Sequence, residues 1–155
     1  MVTLAVDVLR ARGEPSIARV GTLIGHPHVK VRCSAAAALA QCPARQPAVE
    51  LLASQLDVEV DDRALAALAE ALLRLDDPRG LTSVRARLAE ERELPGAMAR
   101  PARRQCLTLL SLVGDPSDLP TLLVLASRPE EISLIGWHGD PAAIEPLLEM
   151  LAEPA

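Results

Sequence analysis

Three Asp-Pro pairs, Asp77-Pro78, Asp115-Pro116 and Asp140-Pro141, constrain this 155-residue chain more than any other feature of it. An Asp carboxylate accepts the free amide hydrogens of a helix's first turn. Pro suits the first helical position, where its missing N–H would have had no partner. Each pair therefore predicts a helix start. Counted from each Asp, positions +4, +7 and +11 read Leu81/Val84/Leu88, Leu119/Leu122/Ala126 and Ile144/Leu147/Leu151. Two earlier segments keep the spacing: Ile17/Val20/Ile24 from Gly13 and Val49/Leu52/Leu56 from Arg45. That spacing lines one face of a helix. A second helix precedes each anchor. Five residues before it stand Val8, Ala40, Leu72, Leu110 and Ile135, and eight before it Ala5, Ala37, Ala69, Leu107 and Ile132. The anchors 13, 45, 77, 115 and 140 are 32, 32, 38 and 25 residues apart, which predicts helix-pair repeats.

Composition agrees. The chain has 27 Leu and 26 Ala but one Trp, no Phe, no Tyr and no Asn, so strand formers and Asn-Gly hairpin turns are scarce or missing. The expected class is all-α. Helices are expected at 15–25 and 29–41, 46–56 and 60–75, 79–92 and 102–113, 117–127 and 130–138, with flanking helices at 2–12 and 141–152. The units are 13–44, 45–76, 77–114 and 115–139, in a single domain spanning residues 1–155. Residues 93–101, with two prolines and a glycine, read as an inserted loop. The fourth unit is short and contains Gly136, so it should be the least stable.

Val113-Gly-Asp-Pro-Ser-Asp-Leu-Pro-Thr-Leu-Leu123 and His138-Gly-Asp-Pro-Ala-Ala-Ile-Glu-Pro-Leu-Leu148 resemble the Gly-Asp-Pro opening of HEAT-like repeats of the phycobilisome-lyase type. His26-Pro-His-Val-Lys-Val-Arg-Cys-Ser-Ala-Ala-Ala-Ala-Leu39 resembles the second-helix half of that repeat. The resemblance covers nearly the whole chain and implies a bacterial protein folded as a right-handed α-α superhelix, a solenoid of about four helix pairs with an extra helix at each end. It departs from the pattern at Arg45-Gln46, at the inserted loop and in the shortened fourth unit. Its motifs encode turns and packing, so it says little of activity.

No catalytic or metal-binding pattern emerges. His26 and His28 stand near Cys33 and Cys42, but there is no Cys-x-x-Cys spacing, and the prolyl turn explains the histidines. His138 and Asp140 could serve acid–base chemistry, yet Asp140 aligns with two other helix caps. There is no glycine-rich phosphate loop and no nucleophile motif. Catalytic residues, metals and cofactors are all expected to be none. Three cysteines among Ala and Leu read as small buried residues of a cytoplasmic protein. No apolar run is long enough to span a bilayer, and no targeting leader is visible.

Arg85, Arg87, Arg92, Arg100, Arg103 and Arg104 could form an anion or nucleic-acid patch. The net charge of −5, the single aromatic residue and the neighbouring Glu90, Glu91 and Glu93 argue instead for a solvated charged face. In this architecture the second helices usually line the concave side. On the helix at 60–75, Leu65, Leu68, Ala69, Leu72 and Leu75 should face the core, and Arg63, Ala67, Glu70 and Arg74 should form the opposite stripe. Transposed to later repeats, the stripe is Gln105, Thr108 and Leu112, then Glu130, Ser133 and Trp137. Arg63, Glu70, Arg74, Gln105, Thr108 and Trp137 are the candidate binding residues, since Trp and Arg are favoured interface anchors. Trp137 fits equally well as a plug in the shortened repeat.

The expected function is a non-catalytic protein–protein interaction scaffold with a protein or peptide partner. The alternatives are an enzyme or enzyme subunit of the HEAT-like type (a bilin-lyase-like chaperone or a nucleic-acid repair enzyme), or one segment of a longer solenoid. Neither end reads as a polar cap, which predicts self-association through the ends or continuation into further repeats. Residues 115–155 carry one basic and 8 acidic groups, so they could meet the more basic body of a neighbouring copy.

Overall fold

Asp77, Asp115 and Asp140 each turn a carboxylate oxygen onto the amide two residues on, 3.0, 2.9 and 2.9 Å from the nitrogens of Arg79, Ser117 and Ala142. Asp61 does the same for Arg63 and Ala64, at a helix start that no Asp-Pro pair marks. Residues 14–126 and 129–152 are described by a computed structural model. The helix expected at 2–12, with Ala5 and Val8, lies outside the described residues.

Among the described residues every regular element is a helix: α1 (Glu14–Ile24), α2 (Val29–Leu39), α3 (Arg45–Leu56), α4 (Asp62–Arg74), α5 (Arg79–Glu93), α6 (Arg100–Val113), α7 (Leu119–Leu125), α8 (Pro129–His138) and α9 (Ile144–Ala152). These bounds lie within two residues of the sequence expectation, except that α9 starts later. The starts at Asp115 and Asp140 first wind a turn of 3-10 helix, Pro116–Asp118 and Pro141–Ala143. The chain divides into two compact units, one ending at Ser83 and the other beginning at Val84, within α5.

In the first unit α1 packs on α2 and α3, α2 on α3 and α4, and α3 on α4. Each helix thus buries surface against its sequence neighbour and against the next but one. Ile17, Val20 and Ile24 join Ala36, Leu39, Val49, Leu52, Leu68 and Leu72 in one apolar core. The expected second-helix columns slip in α2. Ala37 is exposed and Ala40 half-buried, whereas Ala36 and Leu39 are fully buried. Five residues separate α2 from α3, but four separate α4 from α5. Counted to the anchors, the gaps are five residues before Arg45 (40–44) and two before Asp77 (75–76), so loop length enters every position counted back from an anchor. Leu56 and Leu65, both expected in the core, are half-buried.

At Gly80 an added Cβ would stand 2.5 Å from the Ala69 carbonyl oxygen and 3.0 Å from Leu73 Cγ. The first turn of α5 touches α4 there. Gly80→Ala should therefore cost about 1–3 kcal/mol through overpacking. A urea midpoint unchanged from wild type would mean that the two helices stand apart.

In the second unit α6 packs on α7 and α8, α7 on α8, and α8 on α9. Leu107, Leu110, Leu122 and Ile135 are fully buried. The last expected triplet does not follow suit: Ile144 is 59% exposed and Leu147 half-buried. The side chain of Leu151 lies outside the described residues. Within the second unit α7 lies against both α6 and α8, whereas α9, among the described residues, rests chiefly on α8.

Arginines tie together residues about one repeat apart. Arg32 donates to both Glu59 carboxylate oxygens at 2.8 and 2.9 Å and to the His26 and Pro27 carbonyls. Arg45, where a capping Asp was expected, instead donates to the Leu75 carbonyl and to Asp76 at 2.6 Å. Arg85 donates to Asp115 at 2.7 Å and to Asp118 at 2.8 Å.

Burial alone would raise the Glu59 carboxyl, but the Arg32 guanidinium, the Asp61 amide and Gln55 outweigh it and hold it below the usual range. A carboxyl lowered by folding stabilises above its unfolded value, and that stability is lost as pH falls through the folded value. The stability difference between wild type and Glu59→Gln should therefore be full at neutral pH and shrink below about pH 4.3. Urea titrations across that span check it; a constant difference would refute it.

Candidate functional site

The sequence stripe divides between the two units. In the first, Arg63 is exposed near the start of α4, and Arg74 donates to Glu70 at 2.6 Å one turn along the same helix. Glu70 and Arg74, with Ala67 and Ala71, form one wall of a groove of about 70 Å³. Ala37 and Ala40 of α2 form the other. The alanines leave the groove open because they end at Cβ. Cys33 Sγ donates to the Arg63 carbonyl at 3.6 Å, which joins the N-terminal part of α2 to the start of α4.

In the second unit, Gln105 and Thr108 are half-buried on α6, and Thr108 Oγ1 donates to the Arg104 carbonyl of its own helix. Leu112, in the same stripe, is 62% exposed. On α8 Ser133 is exposed and Trp137 is 60% exposed, so the indole is not a core plug. The side chain of Glu130 lies outside the described residues. Leu112 and Trp137 hold equivalent register positions, three residues before their anchors, on two helices that pack together.

The arginine group is solvated only in part. Arg103 is buried: Nη1 donates to Glu131 at 2.6 Å, Nη2 donates to the Leu125 carbonyl at the end of α7, and Nε lies 3.4 Å from Glu91. Glu91 in turn accepts from the Gly96 and Met98 amides, so it also holds the inserted loop. Glu131 Oε2 is buried without a hydrogen-bond partner. Arg85 pairs with Asp115 and Asp118, and Arg87 with Glu90. Arg92, Arg100 and Arg104 remain exposed.

The histidines do not converge with acids or thiols. The His28 amide donates to His26 Nδ1 at 3.1 Å, and the two rings stack. His138 Nε2 lies 3.0 Å from the Asp115 carbonyl, where it donates, while Asp140 caps Ala142. Burial pushes the Cys33 and Cys42 thiols up, away from the reactive thiolate. Among the described residues no group of three or more His, Cys, Asp or Glu side chains could hold a metal ion, and no helix is long and apolar enough to cross a membrane. The chain matches no family model, no curated protein and no solved structure.

Proposed function

We propose that this chain is a non-catalytic protein-interaction scaffold of HEAT-like type, a solenoid that offers the concave surface lined by its second helices to a protein or peptide partner. The observation that carries this reading is Trp137, 60% exposed on α8 with Leu112, 62% exposed, at the equivalent position of the adjacent α6. A large indole left in water costs free energy, and burying it against a partner recovers that cost. The packing of helices on their next-but-one neighbours accords with stacked hairpins, and the Gly-Asp-Pro openings accord with the family.

Affinity capture from the source cell with wild type and Trp137→Ala tests it. The variant should lose the partner while its melting temperature stays within a degree or two, since an exposed side chain contributes about 0.5 kcal/mol or less to folding. Lost stability with undiminished capture would return the indole to a packing role.

A further inference from the structure

We propose that a second copy of this chain docks its α9 onto the α2–α4 face of the first unit. The proposal does not depend on which partner Trp137 meets. Two surfaces carry it. On α9, Ile144 is 59% and Leu148 57% exposed, one turn apart on the same flank. Glu145 and Glu149, also one turn apart and exposed, run beside them, and α9 contains no cation. The helix therefore shows an apolar edge and an acidic edge side by side.

The α2–α4 face shows the complement. Lys30, the only lysine of the chain, and Arg63 are exposed in the first turns of α2 and α4. The Cys33–Arg63 contact holds those two turns together. About one to three turns further along the two helices lies the groove lined by Ala37, Ala40, Ala67 and Ala71, with the Arg74–Glu70 pair on its wall. A helix laid across α2 and α4 would set its apolar edge over the alanines, where Leu148 can enter the groove. Its acidic edge would lie over Lys30 and Arg63. A contact between two different patches is heterologous, so a single contact leaves a free α9 on one copy and a free groove on the other, and assembly goes on until those ends meet and close a ring.

Sedimentation equilibrium of the 155-residue chain across a dilution series tests this, with circular dichroism as the folding control. The mass should rise with concentration. The rise should weaken between about 0.05 M and about 0.5 M salt, where the screening length shortens about threefold. Lys30→Glu/Arg63→Glu should weaken association about tenfold or more. Acidic residues are welcome in the first turn of a helix, so this variant should remain folded. Glu145→Lys/Glu149→Lys should weaken it similarly. Mixing the two charge-reversed variants should restore assembly, because the acidic α9 of the first meets the basic face of the second and the reverse pair forms as well. A wild-type monomer at every concentration and both salts would overturn the proposal. So would either variant associating as wild type does, or a mixture no more associated than its components. None of these outcomes bears on capture through Trp137, which the Trp137→Ala comparison decides separately.

Discussion

Arg103→Ala should cost the protein about 3–5 kcal/mol, because it leaves the Glu91 and Glu131 carboxylates buried without their cation. The Arg103, Glu91 and Glu131 side chains are 10%, 5% and 3% exposed, so water cannot take the guanidinium's place. The loss reaches four places at once: α5 through Glu91, the loop held by Glu91, the C-terminal carbonyl of α7, and α8 through Glu131. Domains of ordinary stability hold about 5–15 kcal/mol in total, so the variant should melt far below wild type. Arg103→Lys should recover only part of the loss, since one ammonium cannot reproduce a planar fork aimed at a carboxylate and a carbonyl together. Replacing Arg103, Glu91 and Glu131 together by apolar residues of similar volume should restore much of the stability. Urea denaturation followed by circular dichroism checks the series. A cost below about 1 kcal/mol for Arg103→Ala would show that the group is solvated after all.

Leu72→Ala and Leu110→Ala should each cost about 2–5 kcal/mol, one in each unit. Both are fully buried at equivalent positions of their repeats, and truncation leaves a cavity that neighbouring helices cannot close without moving. Glu70→Ala and Thr108→Ala, on the opposite faces of the same helices, should cost about 0.5 kcal/mol or less. Glu70 loses an exposed pair with Arg74, and Thr108 loses a bond to its own helix's backbone. Comparable losses at all four positions would mean that the faces of α4 and α6 are misassigned.

The contrast between those faces was legible in the sequence, because a helix repeats its face every three to four residues and caps announce its start. The anchors therefore located the helices to within two residues, apart from the start of α9, which a turn of 3-10 helix delays by three. The slip in α2 was not legible, since counting from an anchor carries loop length silently into the next element. The exposure of Ile144 was not legible either. An apolar triplet records which face could be buried, not whether a helix stands opposite to bury it. At the candidate site, the outward stripe of Arg63, Glu70 and Arg74 and the lone Trp137 could be read, but the groove beside Glu70 could not, since it depends on how closely α2 approaches α4. Arg103 was misread as surface charge. A signal was present: Arg103 stands in the column of Leu65 and Glu131 in that of Leu68 and Cys106, so opposite charges occupied interior columns one repeat apart. Taken singly, each looked like an ordinary polar residue.

The exposure of Trp137 also decides how this molecule can be watched. The chain has no Tyr and no Phe, so the aliphatic core absorbs and emits nothing above the peptide region. Its packing can be lost without a change in near-ultraviolet dichroism. The one indole is 60% exposed in the folded state, so its emission should sit at long wavelength before unfolding as well as after. Heat capacity and amide exchange will follow melting where the indole stays silent. A blue shift of that single emitter has a narrow meaning here: something other than the protein's own core has covered α8.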